Sequence, residues 1–168
     1  MLKTALNPLK MTDGEQSVLL AFIGVGLLGA GMSFTIVNEM GGEGQILRPL
    51  SWYDSWMILS GLIGACVGLF LGRSCLGHGG WRGAFCMLRG GIVVTFAAAI
   101  VGGSLALPLY GTMFGPLLLG MTLWGHPILG AIWVAMLLGA HALFRSFRRE
   151  RQVFLDRLPR QSAVSTPG

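Results

Sequence analysis

Few side chains in this 168-residue chain have chemistry to offer: three histidines, three cysteines and twelve lysines and arginines. His126 is the most suggestive, because it stands inside a long uncharged stretch and Pro127 follows it. An imidazole in such surroundings can relay a proton or ligate a haem or pigment. The plainer reading is a neutral histidine that bonds across helices and steadies a proline kink. Pro127 has no N–H, so in a continuous helix the Leu123 carbonyl loses its donor, and His126, Thr122 or water must replace it. No Asp or Glu shares the stretch, which favours the kink. His141 lies 15 residues further on, about 22 Å along a helix, so the two cannot ligate one iron. No cofactor is predicted. A haem or pigment is left open, to be tested by a visible spectrum.

Cys75, His78 and Cys86 are the nearest thing to a metal cluster, with His141 as a conceivable fourth ligand. Their spacing fits no zinc signature, and unrelated loop residues are the favoured reading. Three cysteines, with Cys66 inside an apolar run, do not make a disulfide framework. The chain lacks the Gly-x-Ser-x-Gly, His-Glu-x-x-His, phosphate-loop and dinucleotide patterns. No carboxylate interrupts its apolar runs, although cation-coupled carriers commonly need one. The expectation is a protein that is not an enzyme and does not bind nucleic acid, since no basic patch interleaved with aromatics is present.

What must position these groups is a set of membrane helices. Gly90 to Phe144, 55 residues, contains no Asp, Glu, Lys or Arg, and two further uncharged runs precede it, Ser17–Asn38 and Ser55–Gly72. Hydrophobic residues make up 53% of the chain and charged residues 11%, against about 25% charged in ordinary soluble domains. A core of this size cannot hide so much apolar chain, whereas about 20 such residues cross a bilayer as a helix. The predicted fold is an all-α bundle of four spans, at about 17–37, 54–72, 90–107 and 116–144, between a polar lead (1–16) and a basic tail (145–168). Asp13 or Ser17 is expected to cap the first span. The first run is longer than the apolar region of a cleaved signal peptide and is read as a retained span. Gly115-Pro116 is expected to open the fourth span, read as one helix of about 42 Å kinked at Pro127. The second choice divides it at His126 into a short re-entrant piece and a full span.

The charges orient the bundle. Eleven of the twelve basic residues fall in three segments: Lys3 and Lys10; Arg73, Arg82 and Arg89; and Arg145, Arg148, Arg149, Arg151, Arg157 and Arg160. Basic loops stay cytoplasmic, so four spans with both termini inside satisfy every segment. Arg89, Arg145, Arg148, Arg149 and Arg151 are candidates for contact with anionic headgroups or a partner. Phe147, Phe154, Leu155 and Leu158 recur among them at helical spacing, as in a helix lying on the membrane surface. Residues 161–168 read as disordered. The preponderance of arginine over lysine, with abundant Gly and Ala, points to a bacterial inner membrane protein from a GC-rich genome.

Every span carries small residues at helical spacing: Gly26, Gly29, Ala30 and Ser33; Gly64, Gly68 and Gly72; Gly102 with Ala98 and Ala106; and Ala131, Ala135 and Gly139. Lipid is as apolar as leucine, so membrane helices gain by close backbone approach, which such stripes permit. Packing within the bundle accounts for them, with docking of a second copy or another membrane subunit as the sharper alternative. The expected role is a small scaffold or accessory subunit. The alternative is an oligomeric channel or small-solute transporter kinked at His126-Pro127.

Overall fold

The computed structural model describes residues 12–40 and 51–164, with side chains as far as residue 153. Among these residues there are five helices and no strand: α1 (Asp13–Met40), α2 (Trp52–Gly72), α3 (Gly80–Ala106), α4 (Gly111–Gly125) and α5 (Pro127–Val164). Four of them, α1, α2, α3 and α5 as far as Val153, are long and apolar enough to cross a membrane. The chain is a small multi-pass membrane protein. Lys3, Lys10, Arg48 and the side chains of Phe154, Leu155, Arg157, Leu158 and Arg160 lie outside the described residues.

The boundaries differ from the expected ones for identifiable reasons. α1 is capped by Thr12, not by Asp13 or Ser17. The Thr12 hydroxyl accepts from the Glu15 N–H at 3.3 Å, and the Glu15 carboxylate accepts from the Thr12 N–H at 3.1 Å. The same reciprocal box, Ser51 with Asp54, opens α2. α3 begins at Gly80, ten residues before the predicted span. Arg82 and Arg89 are both exposed, and long side chains of this kind carry their charge away from a backbone that stays helical. The turn before α3 is tight. Gly77 takes φ +83°, and a Cβ there would stand 2.9 Å from the Phe144 carbonyl group, so only glycine fits.

The fourth predicted span is two helices. The residue before a proline is driven out of the α region, and His126 adopts φ −124°, ψ 77°. Its N–H closes α4 on the Thr122 carbonyl at 2.8 Å, while its carbonyl accepts from Leu129 and Gly130 in the first turn of α5. Pro127 therefore sits at the first position of a new helix, where a missing N–H costs nothing. The kinked continuous helix is thus corrected to a break. α4 also starts earlier than expected, at Gly111, and Pro116 lies inside it. α5 is one helix of 38 residues that runs through the basic segment to Val164, so residues 161–164 are helical and the helix emerging from the span is continuous with it.

α2 lies between α1 and α3. Gly26 of α1 meets Leu62 and Cys66, Gly29 meets Gly61 and Ala65, and Ser33 meets Gly61. On the other side of α2, Gly64 meets Ala98 and Gly102, Gly68 meets Val94 and Ala98, and Gly72 meets Gly90 and Val94. α5 runs antiparallel to α1. Phe22 and Phe144 pack edge to face with ring centres 6.4 Å apart, and the start of α1 at Gly14 lies against Phe147 and Glu150. The α1 start and residues 147–150 therefore stand at one end. The core holds Val25 and Met32 of α1, Leu69 of α2, Val94 of α3, and Trp133 and Phe144 of α5. α4 packs chiefly on α3, Gly111 against Gly103 and Gly115 against Ala99 and Gly103.

A Cβ on Gly64 would stand 2.6 Å from the Ala98 carbonyl oxygen and 2.7 Å from the Gly102 nitrogen, and backbone cannot give way as a side chain can. Gly64→Ala should therefore destabilise the bundle by about 1–3 kcal/mol. Gly31→Ala, where a Cβ meets nothing within 4 Å, should be neutral or slightly stabilising. Detergent-titrated unfolding of the two variants in mixed micelles checks the contrast.

Candidate functional site

The α2–α3 turn and the middle of α5 together build the arginine-bearing end. Arg148 is the centre of it. Its Nη2 donates to the carbonyls of Arg73 (3.2 Å) and Ser74 (3.1 Å), which the end of α2 leaves without helical donors. Its Nη1 donates to His78 Nε2 at 3.2 Å, and His78 Nδ1 donates to the Cys75 carbonyl at 3.3 Å. These roles assign His78 the neutral tautomer with the proton on Nδ1. Arg73 stacks on Phe70, 3.8 Å from the ring centre. Arg145 extends toward Gly79. Arg82, Arg89, Arg149 and Arg151 are exposed. Arg89 lies near the α2 end, since its neighbour Gly90 packs on Cys75 and Leu76.

Between these arginines and the start of α1 runs an open groove of about 770 Å³. Its walls combine Arg73, Arg148 and Arg151 with the apolar surfaces of Val18, Phe22, Phe144 and Phe147.

The structure does not gather the cysteines and histidines of this end into a metal site. Among the described residues no group of three His, Cys, Asp or Glu side chains is placed to hold an ion. His141 Nδ1 accepts from the Gly77 N–H at 3.2 Å, so this histidine fastens the α2–α3 turn to α5.

His126 stands elsewhere than the sequence implies. Its Nε2 pairs with the carboxylate of Glu39, one residue from the end of α1, and both side chains are about half exposed, 47% and 48%. The sequence puts it ten residues into a span beginning at Pro116, near the bilayer centre, and that is the wrong location for it. The physical reason is the break at Pro127, which turns the middle of one predicted helix into the junction of two. Aromatic residues mark the same end of the bundle. Tyr53 Oη donates to the Ala106 carbonyl at 3.2 Å and Trp56 Nε1 to the Leu105 carbonyl at 2.9 Å, while Trp52, Tyr110 and Trp124 are exposed. Such a belt belongs at a membrane–water boundary. Glu39 went unremarked in the sequence, although it follows the uncharged run Ser17–Asn38 directly and is the first carboxylate after it.

Of the small-residue stripes, Gly26, Gly29, Ser33, Gly64, Gly68, Gly72 and Gly102 lie in the α1–α2 and α2–α3 contacts, with Ala30 half-buried beside them. Ala131, Ala135 and Gly139 do not. All three are exposed on α5, and a Cβ at Gly139 would meet nothing within 4 Å. Two contacts were missed from sequence. Gly111 and Gly115 carry the α3–α4 approach, and their four-residue spacing was a signal masked by the neighbouring prolines. Trp133, 4% exposed, donates from Nε1 to Thr95 Oγ1 at 2.9 Å and so ties α5 to α3. It also borders a cavity of about 90 Å³ that Gly29, Ser33, Gly61, Gly102 and Phe114 help to line.

The two ends can be distinguished by labelling. In a background lacking Cys66, Cys75 and Cys86, His126→Cys and Arg149→Cys should react with an impermeant maleimide from opposite faces of sealed vesicles. Labelling of both from one face would contradict the arrangement. No family model matches the chain, and comparisons with curated proteins and with solved structures likewise give no match.

Proposed function

We propose that this is a small accessory or scaffold subunit of a larger assembly in the bacterial inner membrane, with both termini cytoplasmic, docking a neighbouring transmembrane helix on the outer face of α5. One observation carries the reading. The stripes on α1, α2 and α3 are occupied by contacts inside the bundle, whereas Ala131, Ala135 and Gly139 leave a smooth strip on α5 between the exposed Ile128, Ile132 and Leu138. Glycine in a helix interior costs about 1 kcal/mol relative to alanine, and nothing within 4 Å inside the bundle requires it at position 139. Close approach of another helix would use it. The arginine-bearing end then faces the cytoplasm, as the distribution of basic residues favours. No catalytic step is part of this role.

An oligomeric channel gated at His126-Pro127 draws less support. His126 stands beside Glu39 in the last turn of α1, and the cavity of about 90 Å³ beside Trp133 is lined mainly by carbon.

Purification from the native membrane in a mild detergent should recover a larger assembly of fixed stoichiometry. The triple variant Ala131→Leu, Ala135→Leu, Gly139→Leu should lose the partner while keeping its helical content and melting temperature. Recovery of monomer alone under several gentle conditions would remove the basis for the proposal.

A further inference from the structure

The groove at the arginine-bearing end has two characters at once. Its rim is cationic: Arg73, Arg148 and Arg151 face one carboxylate, Glu15, which already accepts from the Thr12 N–H as part of the α1 cap. Its floor is apolar: Val18 and Phe22 come from one membrane-spanning helix, and Phe144 and Phe147 from another. Phe22 and Phe144, packed edge to face, both line it. A soluble anion would satisfy the rim and leave the floor wet, and an acyl chain alone would leave the guanidinium groups unanswered. A molecule with a phosphate head on an apolar body matches both.

The arginines are also held ready for such a head. Arg148 is fixed by the Arg73 and Ser74 carbonyls and by His78, which together take three of its five N–H donors. Arg73 sits over the Phe70 ring, its Cζ 3.8 Å from the ring centre, a contact that steadies the guanidinium and leaves its N–H groups to bond phosphate oxygens. Basic pockets between membrane helices are where anionic lipid headgroups are recognised. We propose that this groove is a binding site for one anionic phospholipid, its phosphate on Arg73, Arg148 and Arg151 and the start of its acyl chains on Phe22 and Phe144. The site is independent of the accessory role, because it needs only the bundle and the membrane around it.

Native mass spectrometry of the full chain, stripped of lipid in a neutral detergent and titrated with phosphatidylglycerol or phosphatidylcholine, tests the proposal. Phosphatidylglycerol should occupy a single high-affinity site and phosphatidylcholine should not. Arg73→Gln with Arg151→Gln should weaken that occupancy about tenfold or more, on the scale of two lost headgroup contacts. Arg82→Gln with Arg89→Gln removes the same charge from the same end, and neither residue lines the groove, so it should leave occupancy within about twofold. Should the first pair impair folding, as judged by melting temperature, Arg151→Gln alone serves, since its exposed side chain is not part of the Arg148 network. Equal weakening by both pairs, equal binding of the two lipids, or displacement of the lipid by inorganic phosphate alone would each overturn the proposal.

Discussion

The architecture depends on backbone-to-backbone contact along both sides of α2. In hydrocarbon there is no water to escape, so the attraction that assembles a soluble core is missing, and helices hold together by the closeness of their main chains. Gly29 against Gly61 and Ala65, and Gly64 against Ala98 and Gly102, supply that closeness. α5 joins through α1, and α4 through α3. Both outlying helices thus depend on neighbours that are themselves fixed by α2.

The same solvent also requires every backbone amide and side-chain hydroxyl to find a partner inside the protein. Ser60, Thr95, Ser104 and Thr122 each donate to the carbonyl one turn earlier in their own helix. Thr95 additionally accepts from Trp133, so one hydroxyl serves both the helix and the contact with α5. The break at His126 obeys the same requirement. His126 closes one helix with its N–H and begins the next with its carbonyl. Proline, which would have stranded a carbonyl in a continuous helix, becomes harmless as the first residue of a new one.

Much of this was legible in the order of residues. The uncharged runs marked the four spans, and the arginines on Arg73, Arg82, Arg145 and Arg148 announced a basic end. The spacing of Gly64, Gly68 and Gly72 announced a close contact, but not whether it lay inside or outside the bundle, because a small residue looks alike on either face. Three-dimensional neighbours decide that, and they place this series inward and Gly139 outward. The position of His126 was misjudged because length along the chain was taken as depth. Once a helix breaks, residues in the middle of a run can lie at its margin. The start of α3 was only half legible: residues 84–88 between Arg82 and Arg89 could be read as helical, but the charges favoured a loop although arginine is a good helix former.

The α3–α5 junction carries a consequence of its own. These helices touch sparingly, and the Trp133–Thr95 bond is the polar peg between them. Around the ring of spans, every other junction is a long zipper. Toward the basic end two further fastenings, His141 on the Gly77 N–H and Arg148 on the Arg73 and Ser74 carbonyls, hold α5 to the α2–α3 turn. A thinning bilayer or a pulling neighbour would therefore part α3 and α5 at the Trp133 peg first, while the basic end stays shut.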